Sequence, residues 1–207
     1  MPATLMRLNA QKIEPFVKPG LKICIVPGTG GGECAFYGCI KKGATVFGVQ
    51  RVPSVARLIE YGNTVKAIGY RDEMFVAAIP HKETGECCKI IESIIGVKTT
   101  PLPNYLNITL TLRTLFFIPR GSEICTEIGK KGLSTKVPLF YENWNNETSE
   151  LLIACDTEVQ QLCKTLPFNL SYVKSLCVHY ESPTAEAMTK KISGITGFKG
   201  LTSPTKK

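Results

Sequence analysis

The chain has 207 residues, of which 43% are hydrophobic, and this is enough to bury one large core or two small ones. Its formal net charge is +8, but the basic residues are dispersed, which is typical of a solvated surface and disfavours a nucleic-acid-binding protein. No stretch approaches the roughly 20 uninterrupted apolar residues of a membrane helix, and the first residues do not resemble a signal peptide. We therefore predict a cytoplasmic protein that does not interact with a membrane.

The cysteines and histidines do not form a recognisable metal or redox motif. The chain has nine cysteines, but Cys87 and Cys88 are adjacent rather than separated by two residues. Its two histidines, His81 and His179, have no second ligand nearby in the sequence. The sequence therefore predicts reduced thiols and no metal site.

The first part of the chain predicts an α/β unit. Residues 3–17 have helical spacing of apolar residues, at Leu5, Leu8, Ile13 and Phe16. The apolar run at residues 21–26 is typical of a strand covered on both faces, and we place it centrally in a parallel sheet. A glycine loop (27–32), a helix (33–42) and a strand (44–49) follow. This order is typical of a doubly wound unit.

Three strands, at residues 56–61, 65–70 and 75–79, are predicted next, and the turn pairs Gly62-Asn63 and Arg71-Asp72 separate them. They favour an antiparallel or mixed arrangement. Residues 84–95 predict a helix that Gly96 ends. The apolar side of this helix is predicted to carry Cys88, Ile91, Ile94 and Ile95. Residues 101–134 give few reliable boundaries, and we assign them no structure.

The last part of the chain predicts helices. Asn146 is a candidate N-cap, with Glu147 and Glu150 in the first turn. The side predicted to face the core carries Leu152, Cys155, Val159, Leu162 and Leu166, and the predicted solvent side carries Asp156, Glu158 and Gln160. Two further helices are predicted at residues 172–180 and 185–192.

Three sequence blocks, taken together and in order, carry a family resemblance. The first is KICIVPGTGGGECAF at residues 22–36. The second is VPSVARLIEYG at residues 52–62, continued by VKAIG at residues 65–69. The third begins with PLFYENW at residues 138–144 and runs through SELLIACD, HYESPT and FKGLTSP to residue 204. In this order and spacing the chain resembles the octopine/nopaline (opine) dehydrogenase family.

The resemblance implies a fold and a reaction. Residues 1–100 would be the later part of a Rossmann-like dinucleotide-binding domain, and residues 101–207 would be a mostly helical C-terminal domain. In the family, NAD or NADP delivers hydride to an imine formed from an amino acid and an α-keto acid, which are the small-molecule partners that we expect here. The sequence does not predict an oligomeric state.

The resemblance also implies roles for individual residues. Pro27, Gly28 and Thr29 follow the first strand and would bind the cofactor, lining its nicotinamide or the substrate side. A tight turn with no ligand is the alternative interpretation. Gln50 and Arg51 end the next strand, where the family recognises its substrate. Arg51 departs from the acidic or small polar residue that is usual there. It could attract a carboxylate, and an exposed surface arginine is an equally good interpretation.

Two aromatic residues complete the list of candidates. Trp144 could cover the substrate, although a lone tryptophan is more often a core anchor. His179 is a weak candidate for acid/base chemistry, because a histidine at a helix end is more often structural.

Three features of the family are missing from the expected places. Its Gly-x-Gly-x-x-Gly loop should lie well upstream of Leu21. Its acid/base histidine should lie between the strand near Ile108 and the helical domain, but no histidine lies between His81 and His179. The aspartate that orients this histidine should follow Ser203-Pro204. We therefore expect an incomplete enzyme with no assigned catalytic residue. Three alternatives stay open: a non-catalytic remnant with a binding or oligomerisation surface, a basic nucleic-acid-binding module, and a cysteine-dependent transferase that uses Cys34.

Overall fold

The computed structural model describes residues 5–28, 30–111 and 139–201, apart from the side chains of Arg57 and Ile68. The chain divides into two compact units, residues 1–111 with 167–173 and residues 112–166 with 174–207. The predicted division into domains of residues 1–100 and 101–207 stays a prediction, since compactness alone does not test what each part does.

The first unit is built on a four-stranded sheet. Its strands, in spatial order, are β1 (Lys22–Ile25), β2 (Thr45–Val49), β5 (Glu73–Ile79) and β6 (Lys98–Pro101). β1 is parallel to β2 and β5 is parallel to β6, whereas β2 and β5 are antiparallel. The mixed sheet confirms the predicted α/β class.

One face of this sheet packs against α4 (Thr84–Ile95). Alternate residues of β2 and β5 point to it because side chains along a strand alternate between faces. The buried cluster on this face contains Phe47, Val49, Met74, Val76, Ala78, Cys87, Cys88 and Ile91. Gly96 adopts a φ of 72° and its N–H donates to the Glu92 carbonyl at 2.8 Å, which ends α4 where the sequence predicts.

The opposite face packs against shorter elements, α1 (Met6–Ile13), α2 (Gly32–Ala35), α3 (Tyr37–Lys41) and α5 (Leu106–Thr109). Two buried clusters lie there. The first contains Met6, Ala10, Ile25, Phe36, Cys39, Ala44 and Val46. The second contains Ala77, Leu102, Tyr105 and Ile108. Helices on both faces of the sheet give this unit the layered arrangement expected of a doubly wound fold.

A separate two-stranded sheet interrupts the path from β2 to β5. It consists of β3 (Val55–Glu60) and β4 (Thr64–Ile68), which pair antiparallel, as the sequence allowed. Gly62 takes a φ of 75° in the turn that joins them, a conformation that favours glycine.

The second unit is helical in its described residues, with α6 (Asn146–Thr165), α7 (Leu176–His179) and α8 (Ala185–Ser193). Its buried cluster contains Phe140, Trp144, Leu152, Leu176, Met188 and Ile192. Side chains cap all three helices at their N-termini, with Asn145, Ser175 and Thr184 accepting from backbone N–H groups. No helix among the described residues is long and apolar enough to cross a membrane.

Several predictions about the first unit are wrong in detail. β1 is an outer strand of the described sheet rather than a central one, and Cys24 on it is exposed. An apolar run indicates a strand but not its place in the order. In the first helix the buried residues are Met6 and Ala10, whereas Leu8 and Phe16 are exposed. Ile94 is also exposed, since it lies in the last turn at the border of the apolar stripe of α4.

The second unit corrects three further predictions. The N-cap of α6 is Asn145, whose Oδ1 accepts from the Thr148 N–H at 2.8 Å, and not Asn146. Asp156 is buried and Leu162 is exposed, which reverses their predicted sides. The helix predicted at residues 172–180 forms only at Leu176–His179.

Asp156 is buried for a local reason. Its Oδ2 accepts from the Leu176 N–H at 2.7 Å, at the first residue of α7, where backbone N–H groups lack helical partners. Burial raises the pKa of the Asp156 carboxyl, and hydrogen bonds from the Leu176 N–H and the Gln160 side chain offset only part of this effect.

A raised pKa in the folded state means that folding favours the protonated carboxyl. The stability that Asp156 contributes is therefore fully present below the unfolded pKa and is lost as pH rises through the folded pKa. We expect the stability of Asp156→Asn relative to the unsubstituted chain to increase as pH rises above about 4, measured by urea unfolding. Glu158→Gln, which removes an exposed carboxylate of the same helix, is the control. A pH-independent difference for Asp156→Asn would contradict the assignment.

Candidate functional site

The candidate site lies at the carboxyl ends of β1 and β2. These strands are parallel, so Pro27 and Gly28 after β1 come to the same edge of the sheet as Gln50 and Arg51 after β2. The two ends are joined by the Gly28 N–H, which donates to the Val49 carbonyl at 2.8 Å. Open α/β sheets bind ligands at this edge.

Gly28 is buried, and neighbouring atoms leave no room for a side chain at this position. A Cβ added to Gly28 would overlap Cγ2 of Ile108 in α5 and would lie 3.3 Å from the Val49 carbonyl oxygen. A Cβ on Gly48 would lie 2.9 Å from the Tyr105 hydroxyl and 3.1 Å from the Gly28 Cα. The glycine at position 28 therefore allows the loop to pack directly on β2 and α5.

Gln50 is buried and its side chain joins three parts of the first unit. Its Nε2 lies 2.8 Å from the Thr111 Oγ1, 3.0 Å from the Tyr172 carbonyl and 3.3 Å from the Asn107 carbonyl. Its backbone N–H donates to the Phe75 carbonyl at 2.8 Å. The amide nitrogen thus holds the chain around the site, and it is engaged by the protein itself.

Asn107 extends this network. It is fully buried, and its Nδ2 lies 3.0 Å from the Asn169 carbonyl and 3.2 Å from the Asn104 Oδ1. The Asn104 Nδ2 also donates to the Asn169 carbonyl, at 2.9 Å. These bonds fix residues 167–173 to the rest of the first unit, which explains why this late segment belongs to it.

Tyr105 and Glu33 lie beside the glycine loop. The Tyr105 hydroxyl and the Glu33 Oε2 are buried and have no partner among the described residues, whereas the Glu33 Oε1 accepts from the Thr109 Oγ1 at 2.7 Å. Burial raises the pKa of the Tyr105 hydroxyl, and the negative charge of Glu33 raises it further. Tyr105 is therefore neutral across the physiological range.

An open cleft of about 460 Å³ lies against the outer side of the loop. It is lined by Met6, Arg7, Gly30, Gly31, Cys34 and Ala35. Cys34, the nucleophile of the alternative transferase hypothesis, is exposed there. Within residues 5–28, 30–111 and 139–201, no group of three or more His, Cys, Asp or Glu side chains could hold a metal ion.

The remaining candidates are placed differently. Thr29 lies outside the described residues, and Arg51 is half-buried. Trp144 belongs to the core of the second unit, where its Nε1 donates to the Ser149 Oγ at 2.9 Å and its ring stacks with Tyr141. The packing of Trp144 favours the core-anchor interpretation. His179 ends α7 and lies edge-on against Tyr180, with ring centroids 4.8 Å apart.

The sequence therefore predicted the residues at the ends of β1 and β2 but not the residues that hydrogen-bond to Gln50. Asn107, Thr111 and Tyr172 are brought to Gln50 from distant parts of the chain. Asn107 lies in a segment that gave no reliable boundaries, and its only sequence signal is an amide within an apolar run.

The chain is similar to solved structures of one enzyme. No protein-family model matches it, and no curated protein does. Among solved structures, octopine dehydrogenase with NADH and L-arginine matches with a TM-score of 0.73 and 18% identity. The same enzyme with NADH and agmatine matches with a TM-score of 0.74 and 17% identity, and with NADH and pyruvate the values are 0.75 and 19%.

These matches cover 100% of this chain and 54–55% of the octopine dehydrogenase chain. The chain therefore spans about half the length of the structures that it resembles. The likeness shows that the chain has the fold of this part of octopine dehydrogenase. It confirms a Rossmann-like α/β part followed by a mostly helical part.

The role of Gln50 in holding the site together can be tested with a substitution that keeps its volume. Gln50→Met removes the donor and leaves the Thr111 hydroxyl and the Tyr172 carbonyl without this partner, so we expect a loss of about 1–3 kcal/mol in the free energy of unfolding. Gln11→Met, the same change at an exposed position of α1, should alter it by less than about 0.5 kcal/mol. Urea unfolding of both variants measures the difference, and equal effects would contradict the role.

Tyr105→Phe tests the unpartnered hydroxyl. Because this hydroxyl is buried without a hydrogen bond, its removal should leave stability unchanged or raise it by up to about 1 kcal/mol. Tyr37→Phe, at an exposed tyrosine, is the control. Thermal unfolding is the measurement, and a marked loss for Tyr105→Phe alone would mean that the hydroxyl has a partner.

Proposed function

We propose that this chain is part of a cytoplasmic, NAD(H)-dependent oxidoreductase that resembles opine dehydrogenases and reductively joins an amino acid to an α-keto acid. The observation that carries the proposal is the match of the whole chain to octopine dehydrogenase structures that contain NADH with L-arginine, agmatine or pyruvate. The amino-acid and keto-acid partners are taken from that likeness.

The glycine loop supports a cofactor at the edge of β1 and β2. At Gly28 the loop packs directly on β2 and α5, which fixes its course, and Gly30 and Gly31 line the adjacent cleft without side chains of their own. These two glycines let a planar or anionic group approach the backbone. We propose that Pro27, Gly28 and Thr29 contact the cofactor, which supplies the hydride when bound.

The end of β2 supports the substrate side. Arg51 follows Gln50, whose side chain is held by hydrogen bonds. We propose that the Arg51 guanidinium binds a carboxylate of the amino acid or keto acid through two parallel hydrogen bonds, as is typical of arginine. Gln50 acts indirectly, by fixing Thr111 and Tyr172 around the same strand end. Restricting motion in this way orients bound reactants and lowers the entropic part of the barrier.

Titration of the chain with NADH, followed by nicotinamide fluorescence, tests the proposal. We expect saturable binding that Thr29→Glu weakens by about 10-fold or more, because a carboxylate beside the cofactor repels its phosphates. The matched control is Thr64→Glu, the same substitution on the exposed hairpin, which should change affinity by less than about 2-fold.

A parallel titration with NADPH and an assay with pyruvate and individual amino acids extend the test to cofactor choice and turnover. NADH binding without turnover would support the non-catalytic binding module. No saturable binding of either nucleotide to the folded chain would contradict the proposed cofactor site.

A further inference from the structure

The cleft between the start of α1 and the glycine loop carries a positive charge that no acidic group of its lining neutralises. Its volume of about 460 Å³ is in the range of small-molecule sites, and its lining contains no Asp or Glu. Arg7, the one charged residue of the lining, is exposed and makes no ion pair or hydrogen bond with any residue that the structure describes. The cleft therefore has the electrostatic character of an anion site.

Met6 fixes the position of Arg7 beside the loop. The Met6 side chain is buried in the cluster that contains Ile25 and Phe36, and its Sδ would lie 3.8 Å from a Cβ added to Gly32. The first turn of α1 is thus held against the residues that follow the glycine loop. Because its backbone is already in place, Arg7 loses less conformational freedom on binding a ligand than it would on a free segment.

The glycine loop presents backbone to the same cleft. Gly31 has a φ of 83°, and a Cβ added to it would meet nothing within 4 Å, so open space adjoins its backbone. The N–H groups of Gly30 and Gly31 donate to no residue in the described part of the chain. N–H groups without a protein acceptor can donate to an anion, and the lack of side chains lets the anion come close.

The nearest carboxylate in the sequence, Glu33, does not compete for Arg7. Its Oε1 accepts from the Thr109 Oγ1 at 2.7 Å, and its Oε2 is buried. The charge of Glu33 is therefore directed into the protein, and the charge of Arg7 stays available to a ligand.

The dinucleotide of the proposed function carries a suitable anion, its diphosphate, and arginine binds phosphate oxygens through charge-assisted hydrogen bonds. We propose that Arg7 and the N–H groups of Gly30 and Gly31 bind the diphosphate of the nicotinamide dinucleotide in this cleft. This assignment rests on the proposed function, which supplies the dinucleotide, and adds the residues that hold its charged part.

Alkylation of Cys34, an exposed thiol in the lining, measures whether the cleft is occupied. The full chain is treated with iodoacetamide in the presence of ADP or of adenosine, which differ only in the diphosphate, and each cysteine is quantified by peptide mass spectrometry. We expect saturating ADP to slow the alkylation of Cys34 by about 5-fold or more and adenosine by less than about 1.5-fold. Cys24, which is also exposed but lies on β1, is the internal control and should react at an unchanged rate.

Arg7→Gln removes the charge, so we expect ADP and NADH to bind at least about 10-fold more weakly. Lys12→Gln removes the same charge from an exposed position of the same helix outside the cleft, and should change either affinity by less than about 2-fold. Arg7→Lys keeps the charge without the paired hydrogen bonds and should give an intermediate affinity. Far-UV circular dichroism checks that each variant is folded.

Two outcomes overturn the diphosphate site: ADP that leaves Cys34 unprotected, and equal effects of Arg7→Gln and Lys12→Gln, which would indicate only a general attraction of anions to a basic chain. NADH binding that Arg7→Gln leaves unchanged also overturns the diphosphate site but leaves the proposed function intact. Arg7-dependent protection by ADP without any binding of NADH would support the diphosphate site and contradict the proposed function.

Discussion

The close approach of the β1 end to β2 is the constraint on which the site depends. The Gly28 N–H reaches the Val49 carbonyl at 2.8 Å, and Ile108 of α5 occupies the space that a side chain at position 28 would need. Gln50, the residue that follows β2, donates from its side chain to the Asn107 carbonyl of the same helix. Gly28 and Gln50 therefore both contact α5, so a shift of this helix would disturb the ends of both strands.

The sequence predicted an element well where the spacing of apolar residues and a residue that ends the element indicated the same bounds. Both ends of α4 were predicted correctly because its apolar spacing and Gly96 are local signals. The network around Gln50 could not be predicted, since its acceptor in Tyr172 is 122 residues away. The residues next to a buried amide in the sequence do not indicate which distant carbonyl it will bind.

Errors of face have a different cause. A helical period gives the spacing of an apolar stripe but not which of two stripes meets the core, and in α1 the core contains Met6 and Ala10 rather than the more apolar Leu8. In α6 a carboxylate is buried because the start of α7 supplies an N–H donor. Packing and polar partners together decided both cases, and neither is visible from one helix alone.

The hairpin is connected to the site through its base. It is inserted between β2 and β5, and the Arg71 Nε donates to the Val52 carbonyl at 3.0 Å while the Arg71 N–H donates to the Pro53 carbonyl at 3.0 Å. These bonds close the insertion immediately after Arg51. The Arg71 bonds therefore tie the base of the hairpin to the short segment that leaves β2, so a displacement of this base would also displace that segment.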